Sequence, residues 1–287
     1  MKRFWTLCAA LLSVVSMASA QTSMSCCSKP AAGPNATETF AMLASNVDFS
    51  GGHDAPLPFR YAGGGEMIEF TTTDGGTSKA FEIKPNIRSD KYLFVIHEWW
   101  GLNDYIKQEA ARLAKELPGT NVIALDLYDG QVAATADEAG KLMQGVKTAR
   151  AEAIIKGALL HAGPRAQVAS IGWCFGGGWS LQTALLAGKQ AVGCVMYYGM
   201  PEKDVAKLKT LNTDVLMIFA KQDQWINQEV VTEFEKNMKA AKKGLTVKAY
   251  DADHAFANPS NPKYSKALAE DAHAASVAYL KKNLKLK

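Results

Sequence analysis

A sharp turn from a strand into a helix is predicted by Ile171-Gly172-Trp173-Cys174-Phe175-Gly176-Gly177-Gly178, which continues a strand predicted from residue 168. Side chains beside so tight a turn must be very small, and Gly172 and Gly176 meet that need. The N-terminus of the following helix favours a thiolate at Cys174, and its free N–H groups can hold an oxyanion. Taken alone, the motif fits a reactive cysteine and also a cysteine that only allows close helix–strand packing.

The order of the residues that follow favours the reactive cysteine. Asp223 comes after a strand predicted at 215–219, and His254 comes after a strand predicted at 245–250. An α/β-hydrolase fold carries its nucleophile, its acid and its histidine in this order along the chain. We therefore predict a catalytic triad of Cys174, Asp223 and His254.

Predicted strands and helices alternate along the chain, which is typical of a mostly parallel central sheet with helices on both faces. Alternating residues at 67–71 and 79–83 predict an antiparallel hairpin that turns at Asp74-Gly75-Gly76. Further strands are predicted at 92–96, 122–125, 168–171, 191–196, 215–219 and 245–250. Helices are predicted at 102–117, 135–160 with a break near 145–148, 175–187, 228–241 and 265–284. The predicted class is α/β, as an α/β-hydrolase fold, with its ligand at the carboxyl ends of the strands.

The N-terminus carries the features of a secretory signal peptide. Met1-Lys2-Arg3 is basic, an apolar run extends from 4 to 15, and Ala18-Ser19-Ala20 fits a cleavage site. The run is shorter than the ~20 residues of a membrane span, so no membrane span is predicted. We expect cleavage after Ala20 and secretion to a bacterial periplasm, with a buried N-terminal helix as the alternative.

Residues 21–60 are predicted to form a flexible leader ahead of a hydrolase domain at 61–287. The part up to Asn35 is rich in Ser, Ala, Pro and Gly, a composition typical of mobile termini. For the adjacent Cys26 and Cys27 a thiol-bearing tail, a strained disulfide, pairing with another chain and a soft-metal site all remain open.

Charge and motifs argue against several functions. The net charge of +4 falls to +2 once Lys2 and Arg3 leave with the signal peptide. A nearly neutral chain without a basic run gives no support for binding to nucleic acid or to a membrane surface. Neither a P-loop nor a dinucleotide fingerprint occurs in the sequence. We predict no cofactor and no metal, and the oligomeric state remains open.

Six separated motifs together resemble the dienelactone hydrolase family. They are His97-Glu98-Trp99-Trp100-Gly101-Leu102-Asn103, Asp126-Leu127-Tyr128, Gly172-Trp173-Cys174-Phe175-Gly176-Gly177, Tyr197-Tyr198-Gly199, Gln222-Asp223 and His254-Ala255-Phe256. They occur in the family's order and spacing, between about Met67 and Leu284. The resemblance implies an α/β-hydrolase fold, a Cys-Asp-His triad and a small-molecule ester or lactone as substrate.

The resemblance also implies how the residues divide the chemistry. Cys174 corresponds to the nucleophile, His254 to the general base and then acid, and Asp223 to the residue that orients His254. The backbone N–H groups of Phe175 and Trp99 correspond to the oxyanion hole.

Glu98 matches a family glutamate that lies close to the thiol and takes part in its activation. The alternative for Glu98 is a surface glutamate or a helix cap. His97, its neighbour, is expected to pack or to hydrogen-bond locally.

The chain departs from the family at two positions that bind the substrate carboxylate. The dienelactone enzymes carry arginines there, and this chain has Gly130 and Asn258. An anionic substrate would lose two charge-assisted contacts of about 1.5–3 kcal/mol each. Arg60 and Lys263 are candidates to replace the lost charges.

Aromatic residues surround the predicted catalytic positions instead. Trp225, Phe256 and Tyr128 are candidates to line an apolar substrate pocket, with ordinary packing as the alternative. We therefore expect uncharged or aromatic acyl esters as substrates. A different class of function, a non-catalytic binding or envelope protein on a hydrolase scaffold, is permitted by the missing arginines.

Overall fold

An eight-stranded sheet forms the centre of the protein. The computed structural model describes Met1 and residues 33–287, and the sheet lies in the unit formed by residues 34–287. Its strands are β1 (Glu66–Thr71), β2 (Thr77–Ile83), β3 (Lys91–Ile96), β4 (Asn121–Leu125), β5 (Gln167–Trp173), β6 (Ala191–Tyr197), β7 (Val215–Ala220) and β8 (Leu245–Tyr250). Their order across the sheet is β1-β2-β4-β3-β5-β6-β7-β8.

The sheet is parallel except at one edge. β1 pairs antiparallel with β2, and β2 pairs antiparallel with β4, whereas the remaining neighbours are parallel. Every residue of β4 and β7 is buried. Successive side chains of a strand point to opposite faces, so both faces of the sheet are covered there. The predicted α/β class with a mostly parallel sheet is confirmed.

Helices connect and cover these strands. They are α1 (Ala36–Ala41), α2 (Val47–Gly51), α3 (Asp104–Glu116), α4 (Ala136–Gly145), α5 (Thr148–Ala162), α6 (Phe175–Ala187), α7 (Val205–Leu208), α8 (Gln228–Ala241) and α9 (Lys266–Asn283). α6 and α8 have their predicted bounds, and the predicted break separates α4 from α5. The Asn103 side chain accepts the Ile106 N–H, so α3 begins later than predicted. None of the described helices is long and apolar enough to cross a membrane.

Four predicted site residues follow strands at the same edge of the sheet. Glu98 lies after β3, Cys174 after β5, Asp223 after β7 and His254 after β8. All four strands are parallel, so these residues meet at the carboxyl ends of the strands, where sheets of this kind bind their ligands.

The prediction of a flexible leader over residues 21–60 is wrong for residues 36–51, which form α1 and α2. Asn35 and Glu38 start α1 with a capping box, in which each side chain accepts the backbone N–H of the other. The composition of the preceding residues concealed this local signal.

Burial holds the two N-terminal helices in place. Phe40 of α1 and Phe49 of α2 are 2 % and 0 % exposed, and burying such a side chain contributes ~1.5–3 kcal/mol. The signal peptide predicted for residues 1–20, as well as Cys26 and Cys27, lies outside the described residues apart from Met1.

His273 joins α9 to α3 at one side of the sheet. Its Nε2 lies 2.8 Å from a carboxylate oxygen of Glu116, and its Nδ1 lies 3.2 Å from one of Glu109. Burial lowers the pKa of His273, but the two carboxylates raise it by more, so its pKa in the folded protein lies above the ordinary value.

We expect protonated His273 to stabilise the fold at acidic pH. Because the folded-state pKa is raised, this contribution is complete below the unfolded-state pKa of ~6.5 and is lost as the pH rises through the folded-state value. Replacement by His273→Gln should therefore cost roughly 0.5–1 kcal/mol more at about pH 5.5 than at about pH 9. Urea unfolding at both pH values measures this difference, and a cost that does not change with pH would contradict it.

Candidate active site

Cys174 lies at the sharp turn between β5 and α6. Its backbone has φ 56° and ψ −120°, a combination that residues other than glycine rarely adopt. A Cβ added to Gly172 would overlap the backbone of Gly176, and a Cβ added to Gly176 would overlap the carbonyl oxygens of Ile96 and His97. The turn therefore requires glycine two residues before the cysteine and two residues after it, as predicted.

A methyl group at Gly176 should strongly destabilise the fold. The atoms that it would meet belong to the backbone of the central strand region, which cannot rotate away, so we expect Gly176→Ala to cost about 3 kcal/mol. Gly145→Ala is the matched control, because nothing lies within 4 Å of the added Cβ; its effect should be small or stabilising by ~0.5–1 kcal/mol. Urea unfolding of both variants tests this, and equal effects would contradict it.

Asp223 and His254 are joined by a short hydrogen bond. Nδ1 of His254 lies 2.6 Å from Oδ2 of Asp223, and Oδ1 accepts the N–H groups of Trp225 and Ile226 at 2.9 and 3.0 Å. Burial raises the pKa of Asp223, but His254 and the two N–H groups lower it by more. Asp223 is therefore a charged carboxylate that fixes the orientation of the imidazole.

His254 is also close to the thiol. The Cys174 sulfur lies within 4.8 Å of a ring nitrogen of His254. Since Nδ1 faces Asp223, the free nitrogen is Nε2, which has no hydrogen-bond partner among residues 33–287. Burial lowers the pKa of His254, whereas negative charge on the Asp223 carboxylate or the Cys174 sulfur raises it because either charge stabilises an imidazolium. Burial raises the pKa of the Cys174 thiol.

The two backbone N–H groups predicted for an oxyanion hole belong to Phe175 and Trp99. Phe175 is the first residue of α6, so its N–H has no partner within the helix, and it acts on the Cys174 sulfur to favour the thiolate. The N–H of Trp99 donates to no backbone carbonyl in the described part of the chain. Both are the donors predicted for an oxyanion hole.

Glu98 is buried, at 9 % exposure, and its Oε2 accepts the Asn258 side-chain N–H at 2.6 Å. Burial raises the pKa of Glu98 to about 7, against the opposing effects of His254 and Asn258. Glu98 is thus neither a surface glutamate nor a helix cap. His97 bonds locally, since its Nδ1 lies 2.6 Å from the Glu98 carbonyl oxygen and its Nε2 accepts the Leu127 N–H at 3.1 Å.

A cavity of about 190 Å³ opens beside Glu98 and Asn258. Trp100, Trp173 and Tyr197 supply aromatic parts of its wall. Glu98 is among its lining residues, whereas Cys174 and His254 are not.

The three aromatic residues predicted to line a pocket differ in their surroundings: two lie near catalytic residues and one lies in the core. Trp225 is half-buried, with its ring centroid 6.1 Å from that of His254, and the buried Tyr128 ring lies 5.5 Å from Phe175. Phe256 is fully buried in the hydrophobic core. Trp225 and Tyr128 therefore border the catalytic residues, whereas Phe256 contributes to core packing.

The N-terminal helices cover this site, which the sequence did not predict. Phe49 packs edge-on against Trp99 and Trp225, with centroid distances of 5.6 and 5.1 Å. His53, just after α2, lies 5.4 Å from the His254 ring. The capping residues Asn35 and Asn46 were an overlooked signal for these short helices, but no local pattern places Phe49 or His53 beside a histidine so far along the chain.

The two positions that carry arginines in the family, and the two candidates to replace their charges, have the following surroundings. The Gly130 N–H donates to the Asp126 carboxylate at 2.6 Å, and no side chain occupies this position. Lys263 pairs with Asp253 at 3.1 Å, and Arg60 is exposed.

Known proteins resemble this chain over most of its length. The model of the dienelactone hydrolase family matches residues 79–284. Protein usf of Aquifex pyrophilus is 28 % identical over 238 residues, which cover 77 % of this chain and 99 % of that protein. A putative carboxymethylenebutenolidase of Aquifex aeolicus is 27 % identical over 209 residues, covering 68 % and 87 %.

Solved structures with a similar fold also include a dienelactone hydrolase. A putative dienelactone hydrolase from Klebsiella pneumoniae matches with a TM-score of 0.64 and 23 % identity, over 76 % of this chain and 99 % of that one. The family match includes Glu98, Cys174, Asp223 and His254, and residues 36–53 lie outside it. Since the match spans well over half of the chain, this protein belongs to the dienelactone hydrolase family, a family of α/β-hydrolases that cleave esters and lactones.

Proposed function

We propose that this protein hydrolyses carboxylic esters or lactones through a Cys174 nucleophile and a thioester intermediate. One observation carries the proposal: Cys174 lies on a strained turn, within 4.8 Å of a His254 nitrogen, and Asp223 bonds the other nitrogen of that ring. A nucleophile, a base and a group that orients the base are the parts that this chemistry needs.

In the first step His254 Nε2 takes the thiol proton, and the sulfur attacks the substrate carbonyl carbon. The Phe175 and Trp99 N–H groups stabilise the negative oxygen that forms. His254 then gives the proton to the leaving alkoxide, and the thioester remains on Cys174. Asp223 keeps Nε2 oriented and stabilises the imidazolium that forms in between.

In the second step water replaces the alcohol. His254 Nε2 takes a proton from water, which attacks the thioester carbonyl carbon, and the same two N–H groups hold the second oxyanion. The imidazolium returns its proton to the Cys174 sulfur as the acid is released.

Glu98 is proposed to assist thiol activation when substrate enters. Its carboxyl group is buried, has a pKa raised to about 7 and bonds Asn258 at the cavity wall. A substrate that displaces Asn258 would free a Glu98 carboxylate, whose negative charge would stabilise the imidazolium that forms when His254 takes the thiol proton. We expect Glu98→Gln, which keeps the size of the side chain, to lower kcat/KM about tenfold or more. An unchanged kcat/KM would remove Glu98 from the mechanism.

We propose a neutral acyl group as the preferred substrate. The cavity has aromatic walls, and its one arginine, Arg112, already pairs with Glu109 and Glu116. His273, the other basic side chain among the described lining residues, also pairs with Glu109 and Glu116, so an anionic substrate would compete with these carboxylates. The relative from Aquifex aeolicus, named a putative carboxymethylenebutenolidase, supports a lactone as one substrate type.

A panel of p-nitrophenyl acetate, p-nitrophenyl butyrate, a neutral lactone and an anionic dienelactone tests both proposals. We expect turnover of the neutral compounds with a kcat/KM at least tenfold above that of the dienelactone, which corresponds to the loss of about 1.4 kcal/mol of binding. Equal turnover of the anionic lactone would contradict the substrate preference. A folded protein without any turnover would contradict the hydrolase and favour a non-catalytic role.

We also propose that the chain is exported and cleaved after Ala20, from the basic start, short apolar run and Ala-Ser-Ala site. N-terminal sequencing of protein from the cell envelope should begin at Gln21. A mature protein that begins at Met1 would contradict this.

A further inference from the structure

Three buried side chains with metal-binding atoms converge at the site: Cys174, His53 and His254. The sulfur and one nitrogen of each imidazole all lie within 4.8 Å of one another. The three residues are 1 %, 6 % and 5 % exposed. Thiolate sulfur and imidazole nitrogen are the ligands that zinc and related cations prefer.

Both imidazoles present a free nitrogen. His254 Nδ1 lies 2.6 Å from the Asp223 carboxylate, and His53 Nδ1 lies 2.6 Å from the Phe49 carbonyl oxygen. These oxygens accept the Nδ1 protons, and Nε2 of each ring lacks a hydrogen-bond partner among the described residues. Histidines that bind metals usually hold their other nitrogen in this way, against a carboxylate or a backbone carbonyl.

The proposed hydrolysis uses the Nε2 of His254 but gives no role to the Nε2 of His53. The Cys174 thiol has one proton to donate, so it can pair with the Nε2 of one histidine only and leaves the other buried without a partner. An unsatisfied buried polar atom destabilises a protein by about 1–3 kcal/mol. A cation between the three side chains would satisfy both nitrogens and the sulfur together.

We propose that Cys174, His53 and His254 form a buried site for a divalent cation of the zinc class. Tetrahedral zinc, with bonds of ~2.0–2.1 Å to nitrogen and ~2.3 Å to sulfur, needs ligand atoms roughly 3.4–3.7 Å apart. Shifts of about 1 Å in the three side chains would bring their ligand atoms from within 4.8 Å to this spacing. The cation displaces the proton shared by Cys174 and His254, which leaves to solvent, and water completes the coordination.

Two consequences follow from where the ligands lie in the chain. His53 comes from the N-terminal segment and the other two from the hydrolase sheet, so the cation would fasten residues 36–53 to the sheet. It would also occupy the Cys174 sulfur and block acyl transfer. The site itself rests on ligand geometry and does not require Cys174 to be a nucleophile.

Metal binding is tested directly in the full chain with Cys26→Ser and Cys27→Ser, because that adjacent pair of thiols can bind zinc by itself. Zinc titration against a chromogenic chelator should give one equivalent per chain, and cobalt should give a thiolate charge-transfer band with the visible spectrum of a tetrahedral site. Zinc should also slow amide hydrogen exchange at residues 47–53.

Three further variants, each made in the chain with Cys26→Ser and Cys27→Ser, test whether His53 binds the cation. His53→Ala should weaken zinc binding about 100-fold or more, whereas His53→Cys should retain binding and His161→Ala, on α5, should not change it. Circular dichroism checks that each variant folds. No stoichiometric binding, equal binding by His53→Ala, or a cobalt spectrum without the thiolate band would each overturn the site. Ester hydrolysis in metal-free buffer, measured on the same samples, separates that failure from a failure of the proposed function.

Discussion

Replacing Cys174 by alanine is expected to lower kcat/KM for ester hydrolysis by about 10⁴-fold or more. The substitution removes the only atom that can carry the acyl group in the proposed mechanism, so the remaining groups can only bind substrate and polarise its carbonyl. The side chain is 1 % exposed, and alanine fits its place without strain beyond that of the turn. The folded structure should therefore persist, and steady-state hydrolysis of p-nitrophenyl butyrate measures the loss.

The matched control is Cys194→Ala. Cys194 is also fully buried, in β6, with its sulfur 3.6 Å from the Ser180 hydroxyl, but it lies away from His254 and Glu98. Its loss should leave kcat/KM within about threefold of wild type, since only local packing changes. Residual activity of Cys174→Ala within tenfold of wild type would remove this cysteine from the mechanism.

The second large effect is expected for Asp223→Asn, which should lower kcat by about 10³–10⁴-fold. The new amide oxygen can still accept the Trp225 and Ile226 N–H groups, so the loop should keep its conformation. The amide N–H₂ then faces His254 Nδ1 and donates to it. The proton of the neutral imidazole moves to Nε2, which can no longer accept the thiol proton.

Asp253→Asn is the control for this substitution. Asp253 directly precedes His254 but is only half-buried and pairs with Lys263 at 3.1 Å, an interaction of little energetic consequence near a surface. Its hydrolysis rate should match that of wild type. A loss of less than tenfold for Asp223→Asn would show that the carboxylate does not orient His254 as proposed.

The sequence predicts well those features whose causes are local. The turn at Cys174 could be predicted because its two flanking glycines answer a steric demand of the turn itself. Asp223 and His254 could be predicted because each follows a strand, and the carboxyl ends of parallel strands meet at one edge. α6 has its predicted bounds because the glycine-flanked turn marks its start and Gly188 follows its end, and α8 begins where predicted because the Asn227 side chain caps it.

Features that depend on contacts between distant parts of the chain were missed. α1 and α2 are too short to show helical periodicity, and they are held in place by burial of Phe40 and Phe49 beside His254. The approach of His53 to His254 follows from that docking. The bond between Glu98 and Asn258 likewise joins loops that follow β3 and β8, and no spacing along the chain specifies it.

The most direct test of the central claim is to capture the acyl group on the protein. A p-nitrophenyl ester mixed with excess wild-type protein and quenched in acid within the first turnover should add the mass of one acyl group. Peptide mapping should place this mass on Cys174, and Cys174→Ala should show none. Rapid ester turnover without an adduct, or an adduct at another residue, would contradict a mechanism that proceeds through a Cys174 thioester.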